Sequence, residues 1–117
     1  MQTFLVSLIA FAVLTACGGI DRKPPSAGVY LYKYLGSVQC TGGGTSLQTM
    51  KLQLADAGIP ALTSSCGTDG KVYVAVCGAA DGRIGIFEVP AAQAQAASTL
   101  GFAPVSRLPA ATKLACH

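Results

Sequence analysis

Cysteine is the residue type with the most chemical potential in this 117-residue chain, because thiolates bind soft metals, attack electrophiles and form disulfides. No two cysteines have the Cys-x-x-Cys spacing of redox and zinc motifs. The single histidine, His117, is the last residue of the sequence. Structural disulfides are therefore favoured over a thiol or metal site. The five cysteines are Cys17, Cys40, Cys66, Cys77 and Cys116.

Nucleophilic catalysis requires a serine, cysteine or threonine that is held against a base. Ser64 and Ser65 adjoin Cys66, but the only histidine is at position 117. Asp69 and Asp81 are each followed by glycine, which predicts turns rather than a pair of catalytic acids. We expect a protein that is not an enzyme and that has no metal or other bound cofactor.

The N-terminal segment has the composition of an export signal. Its apolar stretch, from Phe4 to Leu14, is shorter than the about 20 residues that cross a bilayer, and small residues follow it. The quartet Leu14-Thr15-Ala16-Cys17 resembles the lipobox of bacterial lipoproteins, which signal peptidase II cleaves before a diacylglycerol-modified cysteine. One departure is that no Lys or Arg precedes the apolar stretch.

The resemblance implies cleavage between Ala16 and Cys17, with residues 1–16 as the signal peptide. Cys17 is then expected to carry a covalent diacylglycerol and an N-acyl chain such as palmitate, and several acyl chains together anchor a protein durably in a lipid bilayer. Gly18, rather than Asp, follows the cysteine. In the Gram-negative pattern this implies export to the outer membrane, facing the periplasm.

The segment after the lipobox is polar. Residues 17–27 include two adjacent prolines and three charged residues, which predicts a flexible tether between the lipid anchor and the folded part of the chain. The folded, disulfide-stabilised domain is expected over residues 28–117.

The domain begins with a strand over Val29–Leu35, whose alternation has the period of two that strands show. One face of this strand carries three tyrosines, namely Tyr30, Tyr32 and Tyr34. If that face meets solvent, the rings form a platform on which a peptide or glycan can stack. If it meets a layer of helices, the rings belong to the core. The sequence leaves both alternatives open.

Helix and turn signals divide the rest of the domain into predicted elements. A helix is predicted over Ser46–Ala57, with Thr45 and Gln48 as a capping box and Gly58 as its stop. Pro90 opens a second helix over residues 91–100, and Gly101 ends it. The stretch after residue 101 is predicted to be loop. Asp-Gly turns join a predicted three-strand meander, made of Ile59–Ser65, Lys71–Val76 and Arg83–Val89.

The predicted order is β-α-β-β-β-α, which indicates the α+β class. A small, mostly antiparallel sheet with both helices on one face is expected, in a ferredoxin-like or related arrangement.

With Cys17 assigned to the anchor, an even number of cysteines remains, which in an exported small domain predicts two disulfides. If the first two strands are parallel neighbours, Cys40 and Cys66 lie at the same edge of the sheet. This favours Cys40–Cys66 with Cys77–Cys116. The second choice is Cys66–Cys77 across adjacent strands, with Cys40–Cys116.

The formal net charge is +3, and the eight basic residues are dispersed along the chain rather than clustered as in nucleic-acid-binding proteins. We therefore expect a membrane-anchored lipoprotein of the bacterial cell envelope with a non-enzymatic structural or protein-binding role. Its partners would be the bilayer, through Cys17, and an envelope protein or glycan, with no nucleic acid. The alternative is an envelope thiol- or metal-binding protein that uses Cys66 and Cys77.

Overall fold

A computed structural model of the chain describes residues 28–116. The signal peptide, the lipidation site at Cys17, the cleavage site at Ala16 and the tether lie outside this range, as does His117. The described elements are the strands β1 (Gly28–Tyr34), β2 (Thr63–Thr68), β3 (Arg83–Pro90), β4 (Ala103–Pro104) and β5 (Thr112–Leu114), and the helices α1 (Leu47–Asp56) and α2 (Ala94–Ser98). Short 3₁₀ turns cover Ala91–Gln93 and Val105–Arg107.

The strands form one sheet in the order β4-β1-β3-β2-β5, and every neighbouring pair is antiparallel. β3 is central because its sequence is apolar on both faces, with Ile84 and Phe87 fully buried. The α+β class is confirmed. The order β4-β1-β3-β2, in which β3 separates β1 from β2, is that of a split β-α-β unit. The finer ferredoxin-like assignment stays a prediction.

The two faces of the sheet have separate cores. Both helices contribute to the larger cluster, which includes Met50 and Leu54 of α1, Ala97 of α2 and Phe87 of β3. The opposite face carries a smaller cluster of Ile84, Ile86 and Leu108. The predicted placement of both helices on one face is thus confirmed. Among residues 28–116, neither helix is long and apolar enough to cross a membrane.

The first helix lies close to its predicted bounds, but its cap is shifted by one residue. Ser46, not Thr45, is the N-cap, and its side chain accepts a hydrogen bond of 3.1 Å from the backbone N–H of Thr49. Thr45 instead donates its backbone N–H to the Leu35 carbonyl, at 2.7 Å. The second helix is shorter than predicted, because its first turn is 3₁₀.

The predicted meander is wrong in its middle strand. β2 pairs directly with β3, with Thr68 opposite Arg83, and residues 69–82 form one long loop between them. Lys71–Val76 joins no sheet, because the free edge of β2 is taken by β5. β2 itself lies later than the predicted Ile59–Ser65. The last stretch, predicted to be loop, contributes the two short edge strands β4 and β5.

Candidate functional site

The tyrosine stripe of β1 lies on the sheet face that the helices do not cover. Tyr30 and Tyr34 are exposed. Tyr32 is half-buried against the smaller core cluster, and its ring meets the Tyr34 ring edge-on, with centroids 5.6 Å apart. Two rings meet solvent and the middle one packs against the smaller core cluster, but the helix layer of the second alternative lies on the other face of the sheet. The stripe is not a continuous stacking platform.

Asp69, at the start of the 69–82 loop, is the most buried charged group on this side, with 1% exposure. Its carboxylate accepts hydrogen bonds from the Tyr34 hydroxyl at 3.0 Å, from the Tyr73 hydroxyl, and from the Lys71 backbone N–H at 2.9 Å. Burial alone would raise the pKa of Asp69, but these donors favour the ionised form and hold it below its ordinary value. The ionised carboxylate thus fixes the loop to β1.

The pKa values of the two tyrosines shift in the direction opposite to that of Asp69. Burial, followed by the hydrogen bond to Asp69, raises the pKa of Tyr34, and the hydrogen bond to Asp69, followed by burial, raises the pKa of Tyr73. Both hydroxyls therefore remain protonated donors at neutral pH, which is the state that Asp69 requires.

The predicted turn roles of the two Asp-Gly pairs are confirmed. Asp69 Oδ1 accepts from the Lys71 N–H, and Asp81 Oδ1 accepts from the Arg83 N–H at 3.0 Å. Gly70 and Gly82 have φ values of 74° and 71°, which L side chains rarely adopt. The sequence did not predict that two tyrosines bury Asp69. The Asp-Gly turn signal alone is enough to account for an aspartate at this position.

The far half of the 69–82 loop is fastened by Gln39 and by a disulfide between Cys40 and Cys77. The Gln39 side chain donates to the carbonyls of Val74 and Ala80, at 2.8 and 3.2 Å, and accepts from the Val76 N–H at 3.1 Å. With Asp69 at one end and Cys77 at the other, the segment between them is held away from the core.

That segment presents an unusual apolar surface. Val72, Val74 and Val76, which we call the valine strip, are 99%, 75% and 54% exposed. The Tyr73 hydroxyl donates to Asp69, whereas the three valine side chains meet solvent. The Val76 N–H donates to the Val74 carbonyl at 2.9 Å, so the chain turns at Ala75. Single apolar side chains are common on surfaces, but three within five residues of a fastened segment form an unusual concentration of exposed apolar groups. Sequence reasoning placed these residues in the middle strand of a meander.

The four domain cysteines form two disulfides, as predicted, but the favoured pairing is wrong. The bonds are Cys40–Cys77 and Cys66–Cys116, with Cα atoms 5.1 and 5.2 Å apart. The Cys40–Cys66 prediction assumed that the first two strands are neighbours, whereas β3 lies between them. The second choice, Cys66–Cys77, assumed that Cys77 lies beside a strand that does not form.

The same bonds engage both cysteines that the thiol- or metal-binding alternative uses. Cys66 and Cys77 are each bonded to another cysteine, in two different disulfides. Within residues 28–116 no group of three or more His, Cys, Asp or Glu side chains could hold a metal ion.

An open cleft of about 990 Å³ lies between the Gly42–Gly44 loop, the start of α1 and the Cys66–Cys116 disulfide. Three of its polar side chains are engaged with one another, since Ser37 Oγ donates to Asp81 Oδ1 at 2.8 Å and Arg83 Nε lies 3.6 Å from Asp81 Oδ2. The glycine loop leads into the N-cap of α1.

Two neighbouring glycines of this loop give a matched test of its geometry. Gly43 and Gly44 have φ values of 78° and 77°, but only Gly44 is crowded, since an added Cβ would strike the Leu35 carbonyl and the Ser37 nitrogen. Gly43→Ala is expected to lower the free energy of unfolding by about 1 kcal/mol, the conformational cost alone. Gly44→Ala is expected to lower it by about 3 kcal/mol, because the backbone must also move. Urea unfolding of both variants checks this, and equal losses would contradict the crowding at Gly44.

The structure therefore brings Tyr34 and Tyr73 together at Asp69, with the exposed valine strip on the same loop, and it leaves Ser64 and Ser65 elsewhere, on β2. Of these groups, sequence reasoning had singled out Tyr34 as part of a binding surface and had not identified the valines as exposed. No protein-family model, curated protein or solved structure matches this chain.

Proposed function

We propose that this chain is a lipid-anchored binding protein of the bacterial cell envelope, held by acyl chains on Cys17 in the outer membrane and facing the periplasm. Its role is non-enzymatic, and it binds a protein through the valine strip. The exposure of this fastened strip is the observation that carries the binding role. The anchor rests on the lipobox resemblance at Leu14–Cys17.

Two further features support the proposal. Disulfides persist in oxidising compartments such as the periplasm, and all four domain cysteines are bonded. Burying an exposed valine contributes about 1.5 kcal/mol or more, so covering the three valines supplies several kcal/mol toward binding. Because Asp69, Gln39 and Cys77 already order the segment, association loses little further chain entropy.

A photo-crosslinking residue placed at Val74 tests the binding role in intact bacterial envelopes. The matched control is Leu52 on α1, which is 52% exposed but lies on a helix away from the strip. Val74 is expected to give a discrete crosslinked protein species at a yield at least fivefold above Leu52.

Intact mass measurement of the same membrane-extracted protein tests the anchor. It is expected to show a chain that begins at Cys17 with added acyl mass, and Cys17→Ser should abolish the added acyl mass.

The two readouts fail separately. Equal crosslinking at Val74 and Leu52 would contradict the binding role of the strip and leave the anchor standing. An unacylated chain would contradict the anchor whatever the crosslinking shows.

A further inference from the structure

The two disulfides differ in how easily a thiolate can reach them. Cys40 and Cys77, which form one bond, are both exposed at the surface. In the other bond Cys116 is exposed, but Cys66 is buried, with 9% exposure. Reduction of a disulfide requires a thiolate to attack one sulfur while the other sulfur leaves as a thiolate. The two bonds are therefore expected to react with thiols at different rates.

The Cys66–Cys116 bond is protected whichever sulfur is attacked. Attack on Cys66 is blocked because this residue is buried. Attack on Cys116 expels Cys66 as a thiolate in a buried position, where a charge is poorly solvated. At the Cys40–Cys77 bond either sulfur can be attacked, and either leaving thiolate lies at the exposed surface.

The backbone at Cys40 adds a second difference. Its φ of 74° lies in the left-handed region, and among residues 28–116 every other residue with a positive φ is a glycine. Cys40 lies in a short turn that is closed by two hydrogen bonds between Val38 and Gly42, of 3.0 and 2.9 Å. This turn and the disulfide together hold Cys40 in its strained conformation. Opening the bond removes one of the two constraints, and strained, exposed disulfides are the ones that are most readily reduced.

The Cys40–Cys77 bond closes the far end of the loop that carries the valine strip. Without it, this end is held by the hydrogen bonds of Gln39, and those of the Gln39 side chain lie at the exposed surface, where water competes for them. Asp69 still holds the near end of the loop through its buried carboxylate. Reduction of this bond therefore leaves the sheet in place and loosens the half of the valine strip that is nearest to Cys77.

We infer that the Cys40–Cys77 disulfide is a redox switch for the valine strip, which binds its protein partner when the bond is closed and releases it when a dithiol of the envelope reduces the bond. The inference rests on the proposed function, because it concerns the regulation of binding through the strip. A partner that binds the closed form meets a segment that is already ordered. A partner that binds the open form must order the segment first, so its affinity is lower.

The reduction consists of two exchange steps. A thiolate of the dithiol attacks one sulfur of the Cys40–Cys77 bond, which breaks and leaves its electron pair on the other sulfur. The attacking sulfur is then joined to the chain in a mixed disulfide. The second thiolate of the dithiol attacks its partner sulfur in this mixed disulfide and releases the remaining cysteine. The dithiol is thereby oxidised to a disulfide, and Cys40 and Cys77 together gain the two electrons and two protons that it loses.

Stepwise reduction of the full, membrane-anchored chain by a small dithiol, dithiothreitol, tests the order in which the bonds open. The thiols that appear are alkylated at intervals and located by mass mapping. Alkylation of Cys40 and Cys77 is expected to be at least tenfold faster than alkylation of Cys66 and Cys116. Equal rates, or earlier opening of the Cys66–Cys116 bond, would overturn the inference.

Photo-crosslinking from residue 74 in bacterial envelopes tests the effect on binding. At a dithiothreitol concentration that opens only the Cys40–Cys77 bond, the crosslinked yield at Val74 is expected to fall at least threefold, and reoxidation should restore it. Two double variants are the matched controls. Cys40→Ser with Cys77→Ser should give the low yield with or without the dithiol, whereas Cys66→Ser with Cys116→Ser should keep the response.

The failures of the switch and of the binding function are distinguishable. Selective reduction with an unchanged crosslink at Val74 would overturn the switch while the proposed binding function stands. A dithiol response that persists in Cys40→Ser with Cys77→Ser would show that the dithiol acts elsewhere, and would also overturn the switch. Equal crosslinking at Val74 and Leu52 before any reduction would overturn the binding function, and the switch with it.

Discussion

Replacing Cys40 and Cys77 together by serine is expected to lower the free energy of unfolding by about 4 kcal/mol. The bond joins residues separated by 37 positions, and a cross-link over a loop of that length reduces the entropy of the unfolded chain by roughly this amount in the chain-entropy model. Because a domain of this size has a limited core, this loss is a large share of its total stability. Urea unfolding of both proteins at neutral pH measures it.

The Cys66–Cys116 bond provides the matched control. Its separation is 50 positions, so Cys66→Ser with Cys116→Ser is expected to cost a similar amount, about 4 kcal/mol. The local effects should differ. Only the loss of Cys40–Cys77 removes the fastening beside Gln39, so only that variant should lose amide hydrogen-exchange protection at Val76, whose N–H is bonded to Gln39. Equal exchange at Val76 in both variants would contradict the fastening role.

The elements that sequence reasoning placed correctly are those with a strong local signal. β1 has strict alternation, and β3 is a run of apolar residues that begins after an Asp-Gly turn. α1 has apolar residues at helical spacing and a glycine stop. In each case the signal lies within the element itself, so no knowledge of its neighbours is required.

The elements that were missed or misplaced depend on their neighbours. β2, with the sequence Thr-Ser-Ser-Cys-Gly-Thr, is mostly polar and becomes a strand because β3 and β5 flank it. β5 is too short to show a period. Lys71–Val76 shows the reverse case, since it has a clear period of two but no neighbouring strand in the described fold.

The candidate site was predictable only in part for the same reason. The cysteine count predicted two disulfides, but which cysteines pair depends on the order of the strands across the sheet. The tyrosine stripe was visible as an alternation, but its burial depends on the segment around Leu108, which packs on that face. Exposure of the valine strip is likewise set by long-range contacts, through Asp69, Gln39 and Cys77.

Asp69→Ala is expected to lower the free energy of unfolding by about 3 kcal/mol. The substitution removes the shared acceptor of the Tyr34 and Tyr73 hydroxyls and of the Lys71 N–H, and a buried donor left without a partner costs about 1–3 kcal/mol. Asp56→Ala is the matched control, because Asp56 is exposed at the end of α1, and its effect should stay within about 0.5 kcal/mol. Urea unfolding at neutral pH measures both variants.

The contribution of Asp69 should also depend on pH in a defined direction. Since folding lowers the pKa of this carboxyl, its ionised form stabilises the fold at pH values above the ordinary carboxyl range, and the stabilisation is lost as pH falls through the lowered folded pKa. Tyr34 and Tyr73 have raised pKa values, so their contribution is present below about pH 10 and is lost as pH rises beyond the ordinary tyrosine value.

Asp69→Asn separates charge from shape, because the amide keeps the size of the side chain and one acceptor oxygen but never ionises. The difference in unfolding free energy between the unaltered chain and Asp69→Asn is therefore expected to be greatest near neutral pH and to shrink below about pH 4. A difference that stays constant from pH 7 to pH 3 would show that the carboxylate charge does not hold the 69–82 loop. In that case the hydrogen bonds from the two tyrosines would stabilise the loop through geometry alone, and Tyr73→Phe should then cost as much in the Asn variant as in the unaltered chain.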